Sequence, residues 1–281
     1  MIPFFIFYSM FGFQRVGDLI WAAGDMRTKG FLIGGTSGKT TLAGEGLQHQ
    51  DGHSHLMAGT IPNLKAYDPA YSYEIAIIIQ YGLKDMYQWQ NNYFYYITVE
   101  NENYIHPKLP SYEITEGVIK GIYCLKKSTN KKGPKIQLLA SGPMLNEAIK
   151  ASELLEKDWN INTTIWSVTS YSELHKEAED IERWNNLNPD KNKKTSFINK
   201  NIKKTNGPVV AISDYVKLVA EQISPYINCP FLALGTDGFG RSGTRDSLRD
   251  FFEVNKYYIT LSSINLLIKE KQIEESLTLE A

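Results

Sequence analysis

The sequence predicts an α/β protein with two doubly wound sheets. Two observations carry this prediction: short β-rich apolar segments alternate with longer helical segments, and the alternation occurs both before and after a polar stretch at residues 100–116. With 281 residues and 42% hydrophobic content, the chain is long enough for two ordinary cores. We therefore expect one domain at residues 1–115 and a second at residues 116–281.

The first predicted element is the apolar run MIPFFIFYSMFGF at residues 1–13. It has no basic region and no cleavage site, and it is shorter than the ~20 residues that cross a bilayer, so it predicts neither a signal peptide nor a membrane span. Its many phenylalanines predict a fully buried helix. We expect the covering of this helix to come from a preceding segment or from another polypeptide.

The rest of the first half predicts a strand, a helix and a strand. GFLIGG at residues 30–35 predicts a short buried strand, and a glycine-rich loop follows it. Asp68, followed by proline, predicts the start of a helix that continues to residue 89. YFYYITV at residues 93–99 is typical of a central strand. This order of elements favours a parallel sheet.

The second half repeats the alternation and adds an insertion. Its polar, lysine-rich segment has almost no apolar periodicity, which predicts a solvated insertion, and its βαβαβ order predicts a doubly wound sheet. The predicted segments are a strand at 135–142, a helix from Pro143, a strand at 163–170, a helix at 171–184, the insertion at 188–206, a strand at 207–213, a helix from Asp214, a strand at 230–235 and a helix at 259–273.

Composition and charge argue against several classes of partner. Lys+Arg 30 and Asp+Glu 31 give a net charge of -1, so there is no electrostatic reason to expect nucleic acid or a membrane, and we expect neither. Cys124 and Cys229 are far apart and have no metal-like spacing. They predict packing roles and a reducing, cytoplasmic location.

The stretch GGTSGKTTLAGEGLQHQDGHSH at residues 34–55 suggests three kinds of site. Its Gly-Lys-Thr sequence is the ending of a phosphate-binding P-loop. That interpretation fails on spacing, because Ile33 stands where a P-loop needs a glycine, five residues before Gly38. Two later glycines also argue against the helix that a P-loop feeds.

A zinc site is the second alternative, because His49, Asp51, His53 and His55 lie within seven residues. His53 and His55 do not have the spacing of two ligands on adjacent helical turns, and Gly52 makes a regular helix unlikely here. A polar loop whose side chains bond to its own backbone is the simpler interpretation. We therefore expect no metal ligands in this chain.

The third alternative is an active-site loop, and it rests on a resemblance. Residues 1–55 are similar to the homodimeric type of pyruvate dehydrogenase, the thiamine-diphosphate-dependent decarboxylating component of the 2-oxoacid dehydrogenase complex. The likeness covers nearly the whole chain and implies a truncated pyrimidine-binding domain followed by a transketolase C-terminal-like domain. Further segments resemble the same family in the same order: IPNLKAYDPAYSYEIA, YYITVENENY, SVTSYSEL, ERWNNLNP and LGTDGFGRSGTRDSLRDFFEV.

The resemblance implies roles for four residues. Glu45 and His49 match a family motif that faces the reacting thiazolium, Phe11 matches a residue against the aminopyrimidine, and Tyr8 matches one directed toward substrate. An apolar wall with a few proton carriers suits this chemistry. His49 is the natural proton carrier, because an unperturbed histidine titrates near pH 6.5. The residues alone would place Phe11 and Tyr8 in the core and Glu45 in a surface turn.

The resemblance also implies what this sequence lacks. In the family, Mg²⁺ and the diphosphate of the cofactor are held by a Gly-Asp-Gly motif and a downstream asparagine, and no such pair occurs here. The glutamate that activates the aminopyrimidine lies upstream of the tyrosine matched by Tyr8, whereas the first glutamate here is Glu45. We expect the anchor and the activator to come from a missing N-terminal part or a second subunit.

Two hypotheses about function remain open. In one, the chain is the C-terminal part of a pyruvate dehydrogenase, an oxidoreductase that decarboxylates pyruvate and transfers acetyl to the lipoyl acetyltransferase component once the N-terminal part is supplied. In the other, it is a non-catalytic remnant or a dimerisation and association module. The later motif at residues 235–245, GTDGFGRSGTR, resembles a dinucleotide loop, but we interpret its glycines as turn residues.

Overall fold

Two β-sheets organise the chain, and helices pack against both of them. The computed structural model describes residues 1–128 and 133–274. The predicted α/β class is confirmed. The first sheet contains β1 (Phe4–Tyr8), β2 (Phe31–Gly35), β3 (Leu64–Tyr67) and β4 (Phe94–Val99). The second sheet contains β5 (Ile122–Lys127), β6 (Lys135–Ala140), β7 (Asn162–Val168), β8 (Val209–Ile212) and β9 (Phe231–Leu234).

The first three α-helices lie between strands of the first sheet in sequence, and the later α-helices follow the last strand of that sheet. Among the described helices, none is both long and apolar enough to cross a membrane. The expected domain boundary between residues 115 and 116 falls at the start of α4 and stays a prediction. The helices are α1 (Phe13–Asp25), α2 (Ser54–Gly59), α3 (Ser72–Leu83), α4 (Thr115–Lys120), α5 (Met144–Asp158), α6 (Tyr171–Leu187), α7 (Phe197–Ile202), α8 (Leu218–Glu221), α9 (Arg245–Phe251) and α10 (Lys256–Lys269).

The first sheet is parallel throughout and has the strand order β1-β2-β4-β3. β4 lies inside the sheet, as its aromatic and β-branched sequence predicts. Tyr95, Tyr96 and Ile97 in this strand are completely buried. α3 extends past its last α-helical residue through a π-helical turn at Lys84–Gln88.

The N-terminal apolar run forms the edge strand β1, so the prediction of a buried helix is wrong. β1 pairs with β2 on one side, and its other side has no strand partner among residues 1–128 and 133–274. Phe5 and Ile6 are 62% and 71% exposed. The error has a physical cause: a short apolar run carries no periodicity that separates helix from strand, and its aromatic residues favour the strand.

The helix expected at Asp68 begins at Ser72 instead. The Glu74 carboxylate accepts hydrogen bonds from the N–H groups of Ala70 and Tyr71 at 2.6 and 3.0 Å, and so satisfies donors just before the first turn. Asp68 is buried and bonds elsewhere. An aspartate-proline pair is therefore not a helix start here, because long-range partners occupy the carboxylate.

The second sheet has the order β5-β7-β6-β8-β9 and carries helices on both faces. α5 and α10 pack on one face, and α6, α7 and α8 cover the other. The strands are parallel except for β5, which runs antiparallel to β7 and which the sequence did not predict. β5 is hard to recognise because its register shifts between Cys124 and Lys126 and its last residues are exposed lysines.

The segment at residues 188–206 is solvated only in part, which corrects the prediction of a solvated insertion. Residues 189–194 are exposed, but α7 follows them and buries Ile198 and Ile202 against the second sheet. These two side chains are four residues apart and therefore lie on one helix face. Two apolar positions in a lysine-rich background were too few to reveal the helix as a pattern.

The helix expected from Asp214 also starts later, at Leu218, and is a single turn. Asp214 does not cap it. Its buried carboxylate accepts hydrogen bonds from the backbone N–H groups of Thr40 and Thr41, which belong to the loop after β2. The residue therefore joins the two halves of the chain.

Leu138→Ala is expected to cost roughly 2–5 kcal/mol of unfolding free energy, because Leu138 is completely buried in the interior strand β6 and truncation leaves a cavity. Urea denaturation followed by circular dichroism measures the loss. Leu187→Ala, at a position that is 65% exposed, is the matched control and should change stability by no more than about 0.5 kcal/mol. Equal losses in the two variants would contradict the assigned core.

Candidate active site

The candidate site lies at the carboxyl ends of β1 and β2. Parallel strands place their carboxyl ends at one edge of a sheet, and Tyr8 at the end of β1 pairs directly with Gly35 at the end of β2. The chain leaves β2 into the glycine-rich loop, which has little regular structure up to α2. Tyr8 and this loop therefore start from neighbouring points.

Tyr8, Phe11 and His49 form one aromatic cluster. The ring centroids of Tyr8 and His49 are 5.6 Å apart and those of Phe11 and His49 are 5.2 Å apart, both in edge-to-face geometry. Tyr8 and Phe11 are 5.8 Å apart. The two side chains are 42% and 39% exposed, so part of each ring is open to a ligand. The structure thus brings Tyr8 and Phe11 together with His49, which lies about 40 positions further along the chain.

Glu45 joins the cluster through His49. The Glu45 Oε2 lies 3.4 Å from the His49 Nδ1, and the two side chains are 45% and 25% exposed. That Nδ1 has no hydrogen-bond partner among the described residues. The His49 ring is therefore held by its aromatic contacts and by its backbone.

Asp51 organises this site, a role that the sequence did not reveal. Its side chain is fully buried, and its two oxygens accept hydrogen bonds from several elements at once. It joins the turn after Tyr8 to the loop that carries His49. Asp51 accepts from the hydroxyls of Ser9 and Ser37, the Gln14 Nε2, and the backbone N–H groups of His53 and Ser54.

The position of Asp51 just before α2 is the one feature of the sequence that could have indicated its structural role. An aspartate commonly accepts from N–H groups two and three residues later at a helix start, and Asp51 does so at 3.0 Å from both His53 and Ser54. The other three donors, Ser9, Gln14 and Ser37, come from distant parts of the chain, and no local sequence pattern predicts these hydrogen bonds.

A second buried carboxylate, Asp68, connects the first half of the chain to the second. Its oxygens accept from the hydroxyls of Thr98 and Ser141 at 2.7 Å and of Tyr215 at 3.2 Å. Burial and the neighbouring Asp68 together raise the pKa of Glu100 well above its usual value. The raised pKa favours the neutral form of Glu100 and so reduces its repulsion with Asp68.

His49 and His55 contact different partners in the structure. His55 is buried, and its Nε2 lies 3.0 Å from the Thr98 hydroxyl oxygen. That hydroxyl donates to Asp68, so His55 donates its Nε2–H to Thr98. His53 precedes α2. Among residues 1–128 and 133–274, no group of three or more His, Cys, Asp or Glu side chains is placed to hold a metal ion.

Comparisons with known proteins agree with this architecture. The sequence profile of the "Pyruvate dehydrogenase E1 component middle domain" matches residues 1–107, and that of the "Transketolase-like TK C-terminal domain" matches residues 121–255. A transketolase structure from Campylobacter jejuni superposes with a TM-score of 0.67 at 15% identity, over 94% of this chain and 36% of that one. The fold and its glycine-rich loop define a transketolase-like α/β protein.

A solved split-gene transketolase, described as an inactive β4 tetramer, has the same fold with a TM-score of 0.64 at 15% identity. The match covers 95% of this chain and 77% of that one.

Curated relatives narrow the class further. The pyruvate dehydrogenase E1 component of Buchnera aphidicola subsp. Acyrthosiphon pisum is 53% identical over 99% of this chain and 32% of its own length. That of Escherichia coli K12 is 49% identical over 100% of this chain and 32% of its own length. The chain is thus similar along its whole length to one part of the pyruvate dehydrogenase E1 component, and residues 1–107 match the profile of that component's middle domain. It spans about a third of the length of the curated relatives it matches.

His55→Gln is expected to make stability less sensitive to acid. Burial lowers the pKa of His55 below 6.5, so the unfolded chain binds a proton that the folded chain resists. The wild-type free energy of unfolding therefore falls as the pH drops below about 6.5, and the glutamine variant should fall less steeply. Urea denaturation at several values between about pH 7.5 and about pH 5 measures both slopes.

Leu187→Gln changes an exposed residue that does not titrate, and it should keep the wild-type slope. Parallel curves for the wild type and His55→Gln would show that His55 does not contribute to the loss of stability in acid.

Proposed function

We propose that this chain supplies one wall of a pyruvate dehydrogenase active site, and that a second polypeptide segment completes the site. The completed enzyme would decarboxylate pyruvate oxidatively and pass the acetyl group to lipoyl groups of an acetyltransferase component in the cytoplasm. The cluster of Tyr8, Phe11, Glu45 and His49 carries this proposal, because these side chains converge at one sheet edge in a chain that is similar to the pyruvate dehydrogenase E1 component.

The cluster fits one part of thiamine diphosphate and not the other. Phe11 and Tyr8 present partly exposed ring faces, which suit a flat, neutral aminopyrimidine. The sequence has no Gly-Asp-Gly motif with its downstream asparagine to hold magnesium and diphosphate. When bound, the cofactor supplies the carbon nucleophile that adds to a 2-oxo acid. Its anchor would come from the completing segment.

Proton transfer is the task we assign to His49. The imidazole of a histidine can act as a general acid and as a general base. The Glu45 Oε2 lies 3.4 Å from the Nδ1, so a carboxylate adjoins the ring that we assign to proton transfer. Tyr8 lies against the same ring and is partly exposed.

The free edge of β1 supports completion by another segment. Phe4, Phe5 and Ile6 are 46%, 62% and 71% exposed, an apolar surface next to unpaired strand backbone. Edge strands of this kind pair readily with a further strand. Tyr8 ends the same strand, so a segment added at this edge would also reach the site.

The same edge favours a second candidate function, that of a non-catalytic association module. An apolar strand edge can bind another chain whether or not chemistry follows. Catalysis and association therefore have to be separated by assay.

The direct test adds this chain to the portion of the Escherichia coli E1 component that it does not match, with thiamine diphosphate, Mg²⁺ and pyruvate. We expect decarboxylation from the mixture and from a fused chimera of the two parts, and no turnover from this chain alone. The segment of the Escherichia coli protein that corresponds to this chain is the matched control. An inactive chimera beside an active control would overturn the proposal, and an inactive complex that co-purifies would establish the association module.

His49→Ala should lower turnover of the completed enzyme by about tenfold or more, because it removes a proton carrier. Steady-state kinetics of the chimera measures kcat and KM. His175→Ala is the control, since His175 lies in α6 and bonds to the Gln222 carbonyl far from the cluster. Wild-type kcat in His49→Ala would remove His49 from the mechanism.

A further inference from the structure

The glycine motif at residues 235–245 packs on the loop that carries His49. The Gly44 N–H donates to the Gly243 carbonyl at 3.0 Å. The Lys39 ammonium group reaches into the motif and donates to the carbonyls of Thr236 and Gly238. The motif belongs to the second half of the chain and the loop to the first, so one half closes over the other at the candidate site.

Gln50 is the centre of this contact. It follows His49 in sequence and is only 2% exposed. Its Nε2 donates to the Leu42 carbonyl at 2.8 Å, and its Oε1 accepts from the Arg241 N–H at 2.6 Å. A single side chain thus joins the start of the loop, its end and the motif of the second half.

The glycines at the contact are required by close approach. A Cβ on Gly240 would lie 2.4 Å from the Gln50 Oε1 and 2.7 Å from its Cβ. A Cβ on Gly46, which has a φ of 75°, would lie 2.4 Å from the Ser242 Oγ. These glycines therefore do more than form turns, because they let two backbones meet around Gln50.

His49 depends on this arrangement for its position. The N–H groups of His49 and Gln50 both donate to the Gly46 carbonyl at 3.2 Å, so the two residues share one turn. The His49 Nδ1 has no hydrogen-bond partner among the described residues that could hold the ring independently. A displacement of Gln50 therefore carries His49 away from Tyr8 and Phe11.

We infer that Gln50 is a positioning residue for His49, and that residues 236–243 of the second half clamp it in place. The catalytic part of this inference rests on the proposed function, whereas the positional part concerns the folded chain alone. The Gln50 side chain bonds to the backbone of Leu42 and Arg241 rather than to Tyr8 or Phe11, and it acts through the backbone of His49.

The positional test uses the nuclear magnetic resonance signal of the His49 imidazole C–H in the full chain. Nearby aromatic rings displace this signal, and we expect Gln50→Met to move it toward the value of the denatured chain. Methionine fills a similar volume but lacks the amide groups. Gly240→Ala perturbs Gln50 from the opposite side and should move the same signal.

Two controls separate positioning from general loosening. Gln137→Met removes a fully buried glutamine amide whose Nε2 donates to the Gly207 carbonyl and whose Oε1 accepts from Trp166, and it should leave the His49 signal in place. Gly17→Ala adds a methyl group where nothing lies within 4 Å and should do the same. An unmoved His49 signal in folded Gln50→Met or Gly240→Ala would overturn the inference.

The catalytic test is a double-mutant cycle in the chimera. Gln50→Met alone should lower kcat by about tenfold, with KM changed less than about twofold, because substrate contacts remain. Added to His49→Ala, it should cause no further loss, since both changes remove the same proton transfer. A full additional loss would show that Gln50 acts independently of His49. An inactive wild-type chimera would defeat the proposed function, while the resonance experiment would still decide the positional claim.

Discussion

The buried carboxylate of Asp51 is the interaction on which the site depends. It is inaccessible to water and takes hydrogen bonds from the turn after β1, from α1, from the loop after β2 and from the start of α2. A buried charge is tolerated only when donors surround it, so these elements cannot separate without a large cost in free energy. Tyr8 is adjacent to the donor Ser9, and His49 precedes Asp51 by two residues. The Asp51 carboxylate therefore helps to set the distance between Tyr8 and His49.

Two further aspartates join the halves of the chain in opposite directions. Asp68, from the first half, binds Ser141 and Tyr215 of the second, and Asp214, from the second, binds Thr40 and Thr41 of the first. The glycine motif then closes over Gln50. The candidate site uses side chains of the first half only, yet its shape is fixed by the second half. This division lets residues of the second half hold side chains of the first half in place.

The sequence predicted the parts of this protein that local physics decides. Aromatic and β-branched runs predicted the interior strand β4, and the alternation of strands with helices predicted parallel pairing, which holds for every strand named above except β5. The resemblance identified the family through motifs spread along the chain, and the comparisons confirm it. The roles of Tyr8, Phe11, Glu45 and His49 stay predictions, although the structure brings the four together.

Only the tertiary structure decided what depends on distant partners. The same apolar run could be a buried helix or the exposed strand β1, and pairing with β2 settled it. Asp68 and Asp214 look like helix caps in sequence, but hydrogen bonds from residues as far as 174 positions away claim their carboxylates. No local sequence pattern marks Gln50, because its hydrogen-bond partner Arg241 lies 191 residues further along the chain. Sequence determines which side chains can pair, and the folded backbone determines which of them meet.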